Sequence, residues 1–122
     1  MLTNLDNIGM EYNLDATNQI LGRLATKVAK FLMGKGSASF NPKDASSVKV
    51  IVTNTDKLAF SGKKIHQKVY RHHSGFHGGL KEKKLEVLFK EDSRDVLKRA
   101  VWGMLPKNRL RVKRIKNLVM HK

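Results

Sequence analysis

The chain has 122 residues, 40% of them hydrophobic, with 25 Lys and Arg against 10 Asp and Glu and no cysteine. That supports one folded body with a modest core, whose +15 formal charge repels itself until it meets a polyanion, usually nucleic acid. Disulfides, thiolate metal sites and cysteine nucleophiles are excluded, and no apolar run in the chain nears the roughly 20 residues that span a bilayer.

Residues 1–10 read as a loose polar N-terminal arm and residues 11–122 as a single domain. The start carries no basic residue and no apolar core of the kind a secretory signal needs. Arg23 is the first basic residue, unlike an arginine-rich transit peptide, so the expectation is a soluble intracellular protein with no membrane partner. Glu11–Asp15 predicts a short strand with Tyr12 and Leu14 on one side. Asp15, Thr17 and Asn18 are cap or turn formers for a helix. Its apolar positions Leu21, Leu24, Ala25, Val28, Ala29 and Leu32 recur at helical spacing, and Gly34 and Gly36 end it. Asn41-Pro42 and Ser46-Ser47 mark a loop, and Val48, Val50, Ile51 and Val52 suit a buried strand.

Asn54-Thr55-Asp56 turns the chain, and residues 57–61 read as a short extended piece ending at Gly62. Residues 63–70 alternate basic and apolar side chains, and the glycine-rich 74–79 stretch reads as loop. Leu85, Leu88 and Phe89 have helical spacing. A further helix starts near Asp92 or Ser93, with Val96, Leu97, Ala100, Val101, Met104 and Leu105 as its apolar face and Gly103 and Pro106 as breakers. The 110–119 segment sets Leu110, Ile115 and Leu118 among dense positive charge. Strand, helix, strand, then several helices is an α/β order with at least one parallel crossover.

The charge is concentrated. No acidic residue follows Asp95, but nine basic ones do, and Lys107, Arg109, Arg111, Lys113, Arg114 and Lys116 fall within ten positions. A solvated face normally mixes signs. A single-sign segment gains by lying on phosphates, where each contact releases condensed counterions. A second block holds Lys63, Lys64, Lys68, Arg71, Lys81, Lys83 and Lys84, with Tyr70 and Phe76 interleaved. Aromatic rings among cations can stack on unpaired bases, and a core position is the competing reading for Tyr70, since strands alternate sides. Gly75, Gly78 and Gly79 would let the backbone approach a sugar-phosphate chain.

His72, His73 and His77 invite a metal reading, but no Asp or Glu lies between Asp56 and Glu82 and the neighbours are cations. Donation to phosphate or stacking on a base suits them better. No catalytic set stands out. Gly34-Lys35-Gly36 follows a helix, not a strand, and Gly62-Lys63-Lys64 has lysine where a phosphate-binding loop needs Ser or Thr. Ser61, Ser74 and Ser93 have no nucleophile elbow. The expectation is therefore no catalytic residue, no metal, no cofactor and no small-molecule substrate. An RNA- or nucleotide-acting enzyme on a similar sheet and a DNA-compacting protein are the alternatives. A pocket at the carboxyl ends of the strands would mark the first, and a preference for duplex DNA over folded RNA the second.

Three motifs in order resemble one family. They are Asp15-Ala16 with Leu21-Gly22-Arg23-Leu24-Ala25-Thr26; Lys68-Val69-Tyr70-Arg71-His72-His73-Ser74-Gly75 with Gly78-Gly79-Leu80-Lys81; and Gly103-Met104-Leu105-Pro106-Lys107-Asn108. Together they resemble the universal large-subunit ribosomal protein family numbered thirteen in the bacterial scheme. The resemblance implies a three-layer α/β/α body with a four-stranded, mainly parallel sheet, basic loops and a basic C-terminal helix. It also implies contact with large-subunit ribosomal RNA and neighbouring ribosomal proteins, an early role in subunit assembly, and a cytoplasmic rather than organellar ribosome. The candidate RNA contacts are Arg23, Lys27, Lys35, Lys63, Lys64, Lys68, Tyr70, Arg71, His72, His73, His77, Lys81, Lys107, Arg109, Arg111, Lys113, Arg114 and Lys116. The family pattern has glycine where this chain has Arg111, which is expected to add a phosphate contact, and it continues with a Tyr-Ala-Gly segment and a histidine-containing tail beyond the match.

Overall fold

The computed structural model describes residues 2–4, 11–35 and 48–122. Gly36, Asn41-Pro42 and Ser46-Ser47, expected to end a helix and form a loop, lie outside the described residues, as do residues 1 and 5–10 of the expected arm. The arm's other residues form a strand, β1 (Leu2–Asn4), which pairs antiparallel with β2 (Glu11–Asp15). β2 runs parallel to β3 (Lys49–Thr53), and β3 runs parallel to β6 (Leu118–Met120), giving the order β1-β2-β3-β6. The α/β class and the parallel crossover of the sequence reading are present. The segment read as dense charge up to Val119 ends instead in a strand.

Register decides which sheet face becomes the core. Tyr12, Val50 and Leu118 lie side by side, as do Leu14, Val52 and Met120. A pleated strand sends alternate side chains to opposite faces, so these six share one face, and all six belong to the main apolar cluster or pack on it. α1 (Leu21–Leu32) lays Leu24, Ala25, Val28, Ala29 and Leu32 into that cluster. Phe31 stacks on Tyr12 with ring centroids 4.2 Å apart. Leu97 and Val101 of α4 (Ser93–Met104) and Ile115 of α5 (Leu110–Ile115) join the same cluster. The opposite face carries Asn13, Ile51, Thr53 and Val119, none of which belongs to an apolar cluster. Among the described residues, helices cover one face of the sheet.

The helix ends have identifiable causes. Gly34, at φ 83°, turns the chain out of α1, while Gly34 N–H donates to Phe31 O and Lys35 N–H to Lys30 O. This paired arrangement is the Schellman closure that glycine favours. The start of α1 departs from expectation, because no side chain caps it; Leu21 N–H donates to Ala59 O at 3.1 Å. α4 starts where expected and has a side-chain cap, as Asp92 Oδ1 accepts from Arg94 N–H at 3.1 Å. Asp92→Ala is expected to destabilise the protein by about 1 kcal/mol, seen as a lowered midpoint in urea. An unchanged midpoint would show the cap to be idle.

Between β3 and α4 the chain makes a 3-10 turn (Thr55–Lys57), α2 (Lys64–Gln67), β4 (Val69–His73), β5 (Leu80–Lys84) and α3 (Leu85–Glu91). β4 and β5 form a separate antiparallel pair. Leu85, Leu88 and Val96 make a second small cluster, against which Phe60, Ile65 and Tyr70 pack. Buried Thr55 ties the turn to both sides: its hydroxyl is 2.9 Å from that of Ser93, and its N–H donates to His121 O.

Candidate nucleic-acid interface

At the carboxyl ends of β2 and β3, Asp15 Oδ1 accepts from Thr17 N–H at 2.9 Å, Thr17 Oγ1 at 2.7 Å and Asn54 Nδ2 at 3.1 Å. Asp15 and Thr17 thus build a turn and a strand-to-strand tie instead of a helix cap. The bonds from Thr17 and then Asn54 hold the Asp15 carboxyl at about 2, below its ordinary 3.8. A carboxylate depressed in the folded state contributes stability above its unfolded value, and that contribution fades as pH falls through the folded one. The window is therefore between about 3.8 and about 2. An NMR titration of the Asp15 carboxyl carbon is expected to show a midpoint near the lower figure, moving upward in Thr17→Val.

The β4–β5 pair carries the central basic motif. Cross-strand partners share a face, so Tyr70, Lys83, His72 and Lys81 stand on one side and Arg71, Glu82, His73 and Leu80 on the other. Arg71 Nε donates to Glu82 Oε1 at 2.9 Å, which offsets that arginine's charge locally. His73 Nδ1 accepts from Gly75 N–H at 2.9 Å and holds the turn. His72, His77 and Phe76 are exposed, Phe76 at 79%. The turn itself accounts for its glycines. Gly75 and Gly78 have φ of 87° and 68°, and a Cβ on Gly79 would collide with the Ser74 side chain and Phe76 carbonyl. The backbone conformation, rather than an approaching partner, explains these three.

Tyr70 occupies the boundary between the two sequence readings. It is half-buried, with Lys68 Nζ 5.5 Å and Arg99 Cζ 5.2 Å from its ring centroid. Burial pushes its hydroxyl pKa up, Arg99 opposes this and Asp95 adds to it. Arg99 is the residue that joins the surface together. It lines a cleft with Lys64, Lys68 and Tyr70, a depression with His72 and Lys81, and another with Lys98 and Trp102. Met104 continues the surface, lining the cleft and also a depression with Lys30 and Lys35. Arg99, Lys98, Trp102 and Met104 were missed as site residues. Only the exposed Trp102, set three positions after Arg99 on a helical face, could have signalled them.

The 107–116 segment splits in two. Leu110, Arg111, Arg114 and Ile115 form the inward stripe of α5, while Lys107, Arg109, Lys113 and Lys116 are exposed. Arg114 is 2% exposed and has an interaction within the chain, so it is withdrawn from the outer surface, contrary to its place in the expected contact set. Arg111 is half-buried, its guanidinium carbon 4.0 Å from the Trp102 ring centroid, which anchors α5 to α4. The exposed cations Arg23, Lys27, Lys30 and Lys35 on and after α1, Lys63 and Lys64 at the start of α2, and Lys107, Arg109, Lys113 and Lys116 make no ion pair among the described residues. The ion-paired carboxylates of the described residues lie elsewhere, chiefly around α3 and the first turns of α4. No group of three or more His, Asp or Glu among the described residues is placed to hold a metal ion, and no described helix is long and apolar enough to cross a membrane.

A model of the ribosomal protein L13 family matches residues 10–122. The chain belongs to the ribosomal protein L13 family. Members of that family are structural proteins rather than enzymes. The large ribosomal subunit protein uL13 of Chlorobium limicola is 46% identical over 99 residues, which is 81% of this chain and 66% of that protein. The uL13 of Syntrophus aciditrophicus is 41% identical over 110 residues, 90% of this chain and 78% of the relative. The spinach protein uL13c is 50% identical over 99 residues, 81% of this chain and 40% of the relative. All three resembling motifs fall inside the matched L13 span.

Proposed function

We propose that this chain is a structural constituent of the large ribosomal subunit in a cytoplasmic ribosome, and that it binds large-subunit ribosomal RNA. The contacts run from the α1 cations through Lys64, Lys68, the β4–β5 pair and the α4 flank to Lys107, Arg109, Lys113 and Lys116. Neighbouring ribosomal proteins are its other partners. By neutralising phosphates where RNA backbones converge, it supports early assembly of the subunit. The observation carrying this reading is the run of exposed cations around α1, α2 and α5 that have no carboxylate partner among the described residues. The names of the uL13 relatives support it.

Residues 11–122 act in this reading as one body. The three-layer α/β/α order belongs to the same proposal, and it requires a second helical layer over Ile51, Thr53 and Val119. An experimental structure with that sheet face bare would remove this part alone.

The test is sucrose-gradient fractionation of native extract. The protein is expected to comigrate with large subunits after a moderate salt wash and to prefer a ribosomal RNA fragment to duplex DNA of equal length. Free protein at the top of the gradient, or a preference for DNA, would overturn the reading.

A further inference from the structure

We propose that the cleft between the start of α1 and the flank of α4 takes one unpaired nucleotide of the bound RNA. The base would lie on the apolar lining and the phosphates at Lys64, Lys68 and Arg99. This rests on the RNA-binding reading above and gives it a specific pocket.

The cleft has a volume of about 510 Å³, within the roughly 300–1,000 Å³ of small-ligand sites. Its apolar lining is Leu21, Phe60, Leu85 and Ala100, all buried or half-buried, and its cationic lining is the exposed Lys64, Lys68 and Arg99, with Tyr70 half-buried beside them. An apolar lining beside exposed cations matches a flat heterocycle carrying an anionic tail. Bases in single-stranded RNA are free to leave the stack, and their π-faces pack on apolar and aromatic walls with little regard to sequence. The Tyr70 ring is in cation–π contact with two of these cations, its centroid 5.5 Å from Lys68 Nζ and 5.2 Å from Arg99 Cζ.

A second observation points to the same place. Gly22 lines the cleft from the first turn of α1, its φ is not positive, and a Cβ built on it would meet nothing within 4 Å among the described residues. Glycine weakens a helix relative to alanine, and neither a turn nor internal crowding requires it here, unlike at Gly75, Gly78 and Gly79. Close approach of something outside the chain is the remaining use of a missing side chain.

Gly22→Phe puts bulk at the cleft without a clash of its Cβ. It is expected to keep the wild-type melting temperature or raise it. It is also expected to weaken binding to large-subunit ribosomal RNA by roughly 5- to 150-fold, the range for one stacked base. The slope of log affinity against log salt should stay within one contact of wild type, because stacking rather than charge is lost. On the intact wild-type chain, millimolar AMP, GMP, CMP or UMP should shift the Met104, Leu21 and Leu85 methyl resonances, whereas ribose 5-phosphate and inorganic phosphate should not. If wild type binds ribosomal RNA and Gly22→Phe binds it equally tightly, the pocket proposal falls alone. If wild type binds no ribosomal RNA, the RNA reading falls and takes the pocket with it. Should Gly22→Phe fail to fold, the methyl shifts decide, and equal shifts with ribose 5-phosphate overturn the proposal.

Discussion

Replacing Lys107, Arg109, Lys113 and Lys116 together by glutamine is expected to cut affinity for large-subunit ribosomal RNA by roughly three orders of magnitude near 0.1 M salt. Each cation that neutralises a phosphate contributes about 0.7 to 0.9 to the slope of log affinity against log salt. Four lost contacts therefore flatten that slope by about 3, and each one lost lowers affinity roughly five- to eightfold at that salt. All four are exposed and lack an ion pair among the described residues, so their removal breaks no ion pair there. Arg111 and Arg114 are left in place, since one lies against Trp102 and the other is buried. Filter binding across a salt series reads the slope directly. A variant with wild-type slope would mean that α5 faces away from the RNA.

Leu97→Ala is expected to give the largest loss of stability among single substitutions, about 2–5 kcal/mol. Leu97 is fully buried in the main cluster, while its neighbour Val96 is fully buried in the second. Among the described elements, α4 alone gives fully buried side chains to both, so a cavity there loosens the sheet side and the α3 side at once. Against a typical total of about 5–15 kcal/mol, that loss is a large fraction, and equilibrium urea unfolding measures it. A change below about 1 kcal/mol would show that neighbours collapse into the gap.

Elements with a strong apolar period were legible from the sequence. β2, α1, β3 and α4 each bury one face against the core, and burial imposes the period. β5 was not legible, because Leu-Lys-Glu-Lys-Lys is mostly exposed and becomes a strand only by pairing with β4. β6 is three residues long and follows a run of charge, so local pattern could not separate it from the helix before it. The cationic stretches were legible where charge ran unbroken. The burial of Arg114, which shares a helical stripe with Ile115, was not, nor was the place of Arg99 on the cleft, since its ion pair with Asp95 at 2.9 Å looks like an ordinary exposed helix pair.

The β4–β5 pair stands apart from the main sheet, and its tip, residues 74–78, is exposed throughout. Two strands alone are marginally stable in water, so the outer rungs of this ladder should open and close often in the free molecule. In the proposed complex, docking would freeze them, and part of the attraction between protein and RNA would be consumed in stilling that finger. A stiffer finger, made without touching a single cation, would hold its partner longer.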